Sequence, residues 1–373
     1  MSAGSAQELS SHPPRQVAID ALEGELVKLW RHPEEAEEIR AHVTRACMSN
    51  LIVHHRPAEG GPETIDQMLI DVVRFHPCRI LLLSEDETES SPEPRAFISA
   101  HVDSSQMAFS EQITLKTGGA GLARLPSIVR PFLLGDLPTS LWLSSGGLIP
   151  MGQDWFHELT EMADQMIYDS FIWSNARQGL ISVTDWLAGA PAERSAADLA
   201  WRRLRPWRRL IAQALDPAAV PGALQAICEI TIEHGPHALP QAWLLAGWMA
   251  QRLGWRPRAG SVTPGTEISW FLEAPAGPVK VTCRRLQQRE FELADVEITW
   301  RDGAKTPKAR FSHAGGGRLT VTYEGIDHPD RAMAVPRRTT GEMIARQLPD
   351  FGRDPWFDQA LALARAMALA MEE

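Results

Sequence analysis

At 373 residues, with 44% hydrophobic and 23% charged side chains, the chain can fill two ordinary domains and is too apolar to be intrinsically disordered. Its 37 Lys and Arg against 47 Asp and Glu give a formal charge of −10, opposite in sign to that of a bulk nucleic-acid binder. Four scattered cysteines, Cys47, Cys78, Cys228 and Cys283, make neither a disulfide scaffold nor a zinc ribbon.

The first fifteen residues lack the apolar core of a secretory signal. A first helix is predicted near Arg15–Arg31, with Ile19, Leu22, Leu26 and Leu29 at helical spacing. The acidic run Glu34 to Glu38 reads as a solvated helix face. Strand Asn50–His55, helix Glu63–Phe75 and the apolar strand Arg79–Ser84 follow, the last of the kind covered on both faces. Ala96–Val102 and Gln112–Lys116 read as strands joined hairpin-like. A helix near Leu122–Leu134, strand Ser140–Leu143, helix Trp155–Ala163 and strand Met166–Tyr168 then complete a layered α/β unit. The most apolar long stretch, 131–151, is interrupted by Asp136, Pro138 and several Ser and Gly, short of the roughly 20 apolar residues a membrane span needs. The expectation is a cytoplasmic protein with reduced thiols, away from any membrane.

Past residue 190 the composition changes. Ala190–Leu215 is Arg- and Trp-rich and helical, with Pro206 restarting a second segment. Strand Gln225–Glu233 leads into Leu239–Leu253, a helix apolar nearly all round and therefore buried. From Ile268 to Tyr323 the period becomes two, with turns at Asp302-Gly303 and Gly315–Gly317, giving an antiparallel sheet with one polar face. Asp354-Pro355 caps a last helix. The expected fold is α/β: an N-terminal helical segment over 1–45, a mixed-sheet α/β layered domain over 46–190, and an α+β domain with an antiparallel sheet over 191–373. Residues 1–190 carry 13 basic and 26 acidic side chains, a balance of −13; the remainder carries 24 against 21, or +3.

No HExxH, GxSxG or GxxxxGK[ST] motif occurs, so no catalytic set, no cofactor site and no metal site are predicted. His54 and His55 alternate sides of a strand and cannot easily face one metal. Gly118-Gly119-Ala120-Gly121 follows a strand and opens a helix, so its N–H groups could cradle a phosphate, although Arg124 stands where GxGxxG needs its third Gly. Ser144-Ser145-Gly146-Gly147 is a second loop of that type, and simple tight turns are the favoured account of both. His76-Pro77-Cys78-Arg79 joins a helix end to a buried strand. A protonated His76 would complement the helix dipole, and Arg79 could pair with a carboxylate of the chain or of a partner. Two neighbouring cations would make Cys78 redox-sensitive, but burial at the start of the strand pushes the other way, and an inert thiol is the favoured expectation.

These segments also resemble a known family. His76-Pro77-Cys78-Arg79-Ile80 resembles the HPSR-[VI] corner of the bacterial glucose-6-phosphate dehydrogenase assembly proteins, OpcA. Pro131 to Trp142 is similar to that family's PLLLPDLPVxLWW segment, and Asp198-Leu199-Ala200-Trp201 with Leu204-Arg205-Pro206-Trp207-Arg208 to its DLxWxRLxPWR signature. Thr44 to Cys47 fits its TRACxxNLIV-like opening. Cys78 stands for the usual Ser, Gly135 for a Pro and Leu143 for the second Trp, which marks a divergent member. The resemblance implies a non-catalytic assembly factor that binds glucose-6-phosphate dehydrogenase and promotes its active oligomer. Thirteen Trp against two Tyr add to this expectation, because Trp and Arg dominate contact hot spots, although indoles also fill cores. The partner-contact candidates are His76, Arg79, Asp136, Trp142, Trp201, Arg205, Trp207 and Arg208. The rival reading is an enzyme or sensor that binds a phosphorylated metabolite at Gly118, Gly119 and Gly121. A sugar phosphate could also act as a weak effector of the assembly factor.

Overall fold

The computed structural model describes residues 10–31, 47–57, 64–86, 88, 91–103, 108–144, 149–287, 292–315 and 317–371. The acidic run 34–38 lies outside them. The chain opens with strand β1 (Ser10–Val17) and helix α1 (Leu22–Arg31), so the helix predicted from Arg15 starts seven residues later. Pro13, Pro14 and the polar residues beside them suit an edge strand better than a helix interior. Then come β2 (Asn50–His55), α2 (Ile65–Phe75), β3 (Arg79–Glu85), β4 (Arg95–Asp103) and β5 (Ala108–Thr117). Thr64 caps α2 by accepting from the Gln67 N–H, and Pro77 ends it. The helix expected over 122–134 is instead three short turns, Gly119–Arg124, Leu125–Val129 and Arg130–Phe132, because Pro126 and Pro131 each allow helical geometry only at its start.

Next are β6 (Thr139–Leu143), α3 (Asp154–Glu161), β7 (Gln165–Tyr168), α4 (Ala176–Gly189) and β8 (Ser195–Asp198). The first sheet therefore takes its last strand from inside the segment expected to be helical, and the helices α5 (Leu199–Arg203) and α6 (Arg205–Ala214) start only after it. Its order is β1-β4-β5-β3-β2-β6-β7-β8; from β5 to β8 every pairing is parallel, and β4 and β1 add antiparallel strands at one edge.

The second half runs through β9 (Ile227–His234), α7 (Leu239–Arg252), β10 (Arg256–Thr263), β11 (Glu267–Glu273), β12 (Val279–Arg285), β13 (Leu293–Trp300), β14 (Lys308–His313), β15 (Arg318–Glu324) and β16 (Arg331–Ala334). Two helices close it, α8 (Thr340–Gln347) and α9 (Pro355–Leu369). The sheet order is β10-β11-β12-β9-β13-β14-β15-β16, antiparallel at every pairing except β9 with β12. The polypeptide inserts α7, β10 and β11 between those two strands, and such a crossover is what a parallel pair requires.

One continuous core joins the two sheets: Leu81 and Leu141 of the first belong to the same apolar cluster as Trp243, Trp270 and Val296 of the second half. A smaller core lies on the other face of the first sheet. There Leu51, Ile80 and Trp142 meet Leu69 and Val72 of α2, and Met343 and Ile344 of α8. Among the described residues no helix is long and apolar enough to cross a membrane.

Candidate functional site

Strand β2 is followed on one side by β3 and on the other by β6, so the strand order reverses at β2. Open α/β sheets bind ligands at such a point, in the crevice outside the carboxyl ends of the strands. Here the chain's own side chains meet there. Glu85, at the end of β3, accepts from Arg56 Nη2 at 2.8 Å and stands 3.3 Å from His54 Nε2. Hydrogen bonding and charge from His54, then from Arg56, hold its carboxyl down to about 2 against the effect of burial. His54 packs on the Trp155 ring at 5.1 Å, and Ser144 Oγ, just past β6, is 2.8 Å from His55 Nδ1. In dinucleotide-binding sheets an acidic residue near this position takes the ribose hydroxyls. Glu85 already accepts from Arg56 and faces His54, so its carboxylate is engaged within the chain and the described residues do not fit such a cofactor. His54 and His55 take separate partners, as their alternation implies.

The loop at Gly118 is a structural turn. The Gly121 N–H donates to Gly118 O at 3.0 Å, and a Cβ at Gly121 would run into the Thr117 side chain. Gly119 sits at φ 50°, where glycine is favoured. The helix that begins there, Gly119–Arg124, is only six residues of 3-10 geometry, too short for an N-terminal anion site. Ser144 is described, whereas 145–148 lie outside the described residues.

The His76 corner faces inward. His76 is 5% exposed, bonds Ser49 Oγ through Nε2 at 2.9 Å, and is driven by burial down to about 4. It is therefore neutral at neutral pH and does not serve as a cation at the end of α2, contrary to the sequence expectation. Arg79 donates Nε and Nη2 to Glu111 Oε2 at 2.9 and 2.5 Å and Nη1 to Phe132 O at 3.0 Å. Both members of that pair are buried, so Arg79 has no free face for a partner. The Cys78 thiol is fully buried and pushed upward by desolvation and by neighbouring Cys47, the environment of an unreactive thiol. Sequence reasoning missed Asn50: its Nδ2 donates to Leu134 O, Leu137 O and Thr139 Oγ1, and its Oδ1 accepts from the Leu134 N–H. One amide thus ties the Pro131–Trp142 segment to β2 and leaves Asp136 exposed at its turn.

The tryptophans proposed as contacts are core residues. Trp142 is 1% exposed within the smaller core. Trp201 donates Nε1 to Asp354 Oδ2 at 2.8 Å, and the Arg208 guanidinium lies 3.5 Å from its ring centre. Trp207 is buried with His313 edge-on at 5.3 Å. The Arg strip is likewise mostly employed: Arg202 bonds Gln347 and Asp350, and Arg203 chelates Asp169 at 2.8 and 2.7 Å and reaches Glu292 at 3.1 Å. Arg205 and Arg209 remain exposed. Of the tryptophans whose side chains are described, Trp356 alone is exposed, at 47%, with the Arg252 guanidinium 4.2 Å from its ring centre. Two residues before it stands Asp354, and Arg205 and Asp354 both act electrostatically on Arg208. Arg205 and Asp354 therefore both lie near Arg208, which stacks on Trp201, and Trp356 follows Asp354 at the start of α9. Trp356 was legible only as the second residue of a capped helix, a position where side chains often face solvent.

Beside this surface lies a buried polar hub. Asp198 caps α5 by accepting from Ala200 N–H at 2.9 Å and also accepts from Ser170 N–H at 3.1 Å. Burial, then the Asp169 charge, raise its carboxyl to about 7. Gln241 of α7 donates to Glu292 Oε2 at 2.7 Å, so the chain Asp169–Arg203–Glu292–Gln241 links the first sheet to the second half.

Known proteins share this architecture and sequence. Family models described as the N-terminal and C-terminal domains of a glucose-6-phosphate dehydrogenase subunit match residues 70–185 and 194–361. An OxPP cycle protein OpcA of Nostoc punctiforme is 31% identical over 338 residues, 82% of this chain and 67% of that protein. Its counterpart in Synechocystis is 28% identical over 320 residues; the match takes in 79% of this chain and only 64% of the Synechocystis protein. An oxidoreductase from Sinorhizobium meliloti has the same fold at a TM-score of 0.51 and 12% identity, covering 87% of this chain and 96% of that one.

Proposed function

This chain belongs to the OpcA family of glucose-6-phosphate dehydrogenase subunits of the oxidative pentose phosphate pathway, and on that premise we propose that it binds the dehydrogenase and promotes its active oligomer without chemistry of its own. The observation that carries the reading is the pair of family matches, which together run from residue 70 to 361. It is supported by a crevice whose acidic residue, Glu85, is already paired within the chain by Arg56. An activator of this kind works by binding the active enzyme form more tightly than the inactive one, and the shift is limited by that difference. The contact surface is assigned to Arg205, Trp356 with Arg252, and the neighbouring loops, since exposed Trp and Arg are the side chains that most often dominate interfaces. A sugar-phosphate effector has weaker support, because the Gly121 N–H and the Ser144 hydroxyl already have partners within the chain.

The test is a titration of the full chain into its host's glucose-6-phosphate dehydrogenase, following activity and sedimentation together. A rise in activity with a shift to larger species is expected. No change in either at micromolar concentration overturns the reading. Calorimetric binding of glucose 6-phosphate to the chain alone would promote the metabolite alternative.

A further inference from the structure

Strand β16 is the last strand of the second sheet, and its far edge is unpaired among the described residues. Met333 turns inward onto the core, while Arg331, Ala332 and Ala334 are exposed. Such an edge presents backbone N–H and C=O groups to any extended chain that can lie beside it. We propose that β16 docks an extended, acidic segment of a partner protein as an added strand, held by arginines of α6 and of the residues that follow β16.

The packing of α6 brings these arginines together. The helix lies along β15: the Trp207 ring meets His313, whose strand partner is Leu319, and at the other end Tyr323 Oη donates to Ala214 O at 3.0 Å. It touches β16 as well. Arg337 acts electrostatically on His313 and Arg331 on Tyr323, so residues 331–337 run beside α6 in the opposite direction. Arg318 starts β15 opposite Ala334, and the Val335 N–H donates to Gly317 O at 2.7 Å, which keeps the chain leaving β16 close to Arg318.

The strip has one sign. Helix α6 contains three arginines and residues 331–338 another three, with no acid in either, in a chain whose formal charge is −10. Arg205, Arg209, Arg318, Arg331, Arg337 and Arg338 are all exposed, and none has a carboxylate in ion-pair reach among the described residues. Elsewhere Arg79, Arg203, Arg284 and Arg365 each hold an acid of the chain. The neighbouring acids Glu324, Asp327 and Asp330 sit at the turn between β15 and β16 and leave the rest of the strip positive. Main-chain pairing supplies affinity in strand addition, and carboxylates on the added strand would meet the guanidinium groups that flank it. A nucleic acid fits less well, because its backbone has no N–H to offer the exposed carbonyls of β16.

The strip includes Arg205 and so extends the surface assigned above, but its test does not need the dehydrogenase. The probe is a fluorescein-labelled peptide of alternating Glu and Val, titrated with the full chain at low ionic strength and followed by anisotropy. Saturable binding in the micromolar range is expected. Arg209→Glu combined with Arg337→Glu should weaken it at least about tenfold, with an unchanged melting curve to separate lost docking from lost folding. Arg285→Glu, at an exposed position on β12 far from the β16 edge, should leave it unchanged. The same peptide N-methylated throughout keeps its charge but loses its pairing N–H groups, and should also bind at least about tenfold more weakly. No binding by the wild type, binding that survives the double charge reversal, or equal binding of the N-methylated peptide overturns the proposal. So does a single-stranded oligonucleotide of similar length that binds more tightly than the peptide and is released by the same double variant, since the strip would then serve nucleic acid.

Discussion

His76 and Asp198 are both buried, and their protonation pulls stability in opposite directions over nearly the same pH range. His76 takes up its proton near 6.5 when unfolded and near 4 when folded, so it favours the native state more as pH rises through that window. Asp198 loses its proton near 3.8 when unfolded and near 7 when folded, so it favours the native state less as pH rises from about 4 to 7. The two contributions largely cancel in the wild type. Asp198→Asn keeps both backbone hydrogen bonds and removes the falling contribution, so its stability relative to wild type should climb with pH, by about 2 kcal/mol across the window. His76→Gln should do the reverse. Urea unfolding between pH 4.5 and 7.5 checks both, and two curves parallel to the wild type would dismiss the account. At the exposed surface the expectation differs: Trp356→Ala with Arg205→Glu should change stability by less than about 1 kcal/mol yet weaken activation of the dehydrogenase about tenfold or more. Full activation by that double variant would move the contact surface elsewhere.

Two helix contacts depend on the absence of a side chain. A Cβ at Gly341 of α8 would meet Met68 O and lie 2.5 Å from Asp71 Cβ, and one at Gly247 of α7 would lie 2.7 Å from Ala360 O of α9. Gly341→Ala and Gly247→Ala should each cost about 1–3 kcal/mol through overpacking. Gly24→Ala in α1 meets nothing within 4 Å and should gain up to about 1 kcal/mol from helix propensity. Thermal melts that rank all three alike would contradict this. Such docking is invisible in sequence. What could be read there was local: the stripe of Leu69, Val72 and Val73, the Asp354-Pro355 cap, and the alternation around Val296 and Ile298. Helix α4 and strands β10 and β16 were missed because their patterns are weak by themselves and are completed by tertiary neighbours. The tryptophans of the signature segments are core anchors: Trp201 holds Asp354, 153 positions away in sequence, a pairing no window of residues can announce.

The family models divide the sequence between residues 185 and 194, but the folded molecule is tied together across that line. Helix α8, from near the C-terminus, covers α2 and the outer core of the first sheet, and α9 packs on both α4 and α7. Arg203 holds Asp169 at the end of β7 and Glu292 at the entry to β13, so one guanidinium neutralises acids from both halves. Shared cores and shared charges make unfolding of one half expose the apolar surface of the other, so a single cooperative calorimetric transition is expected. Arg203→Met leaves Asp169, Asp198 and Glu292 close together without their common cation. It should lower stability by about 3–5 kcal/mol while keeping one transition, because the apolar core still joins the sheets. Two resolved transitions in the wild type would show that the halves fold independently. If the dehydrogenase seats at Trp356 on α9, as proposed, it touches an element packed against both halves, so its binding energy stabilises the whole molecule rather than one sheet.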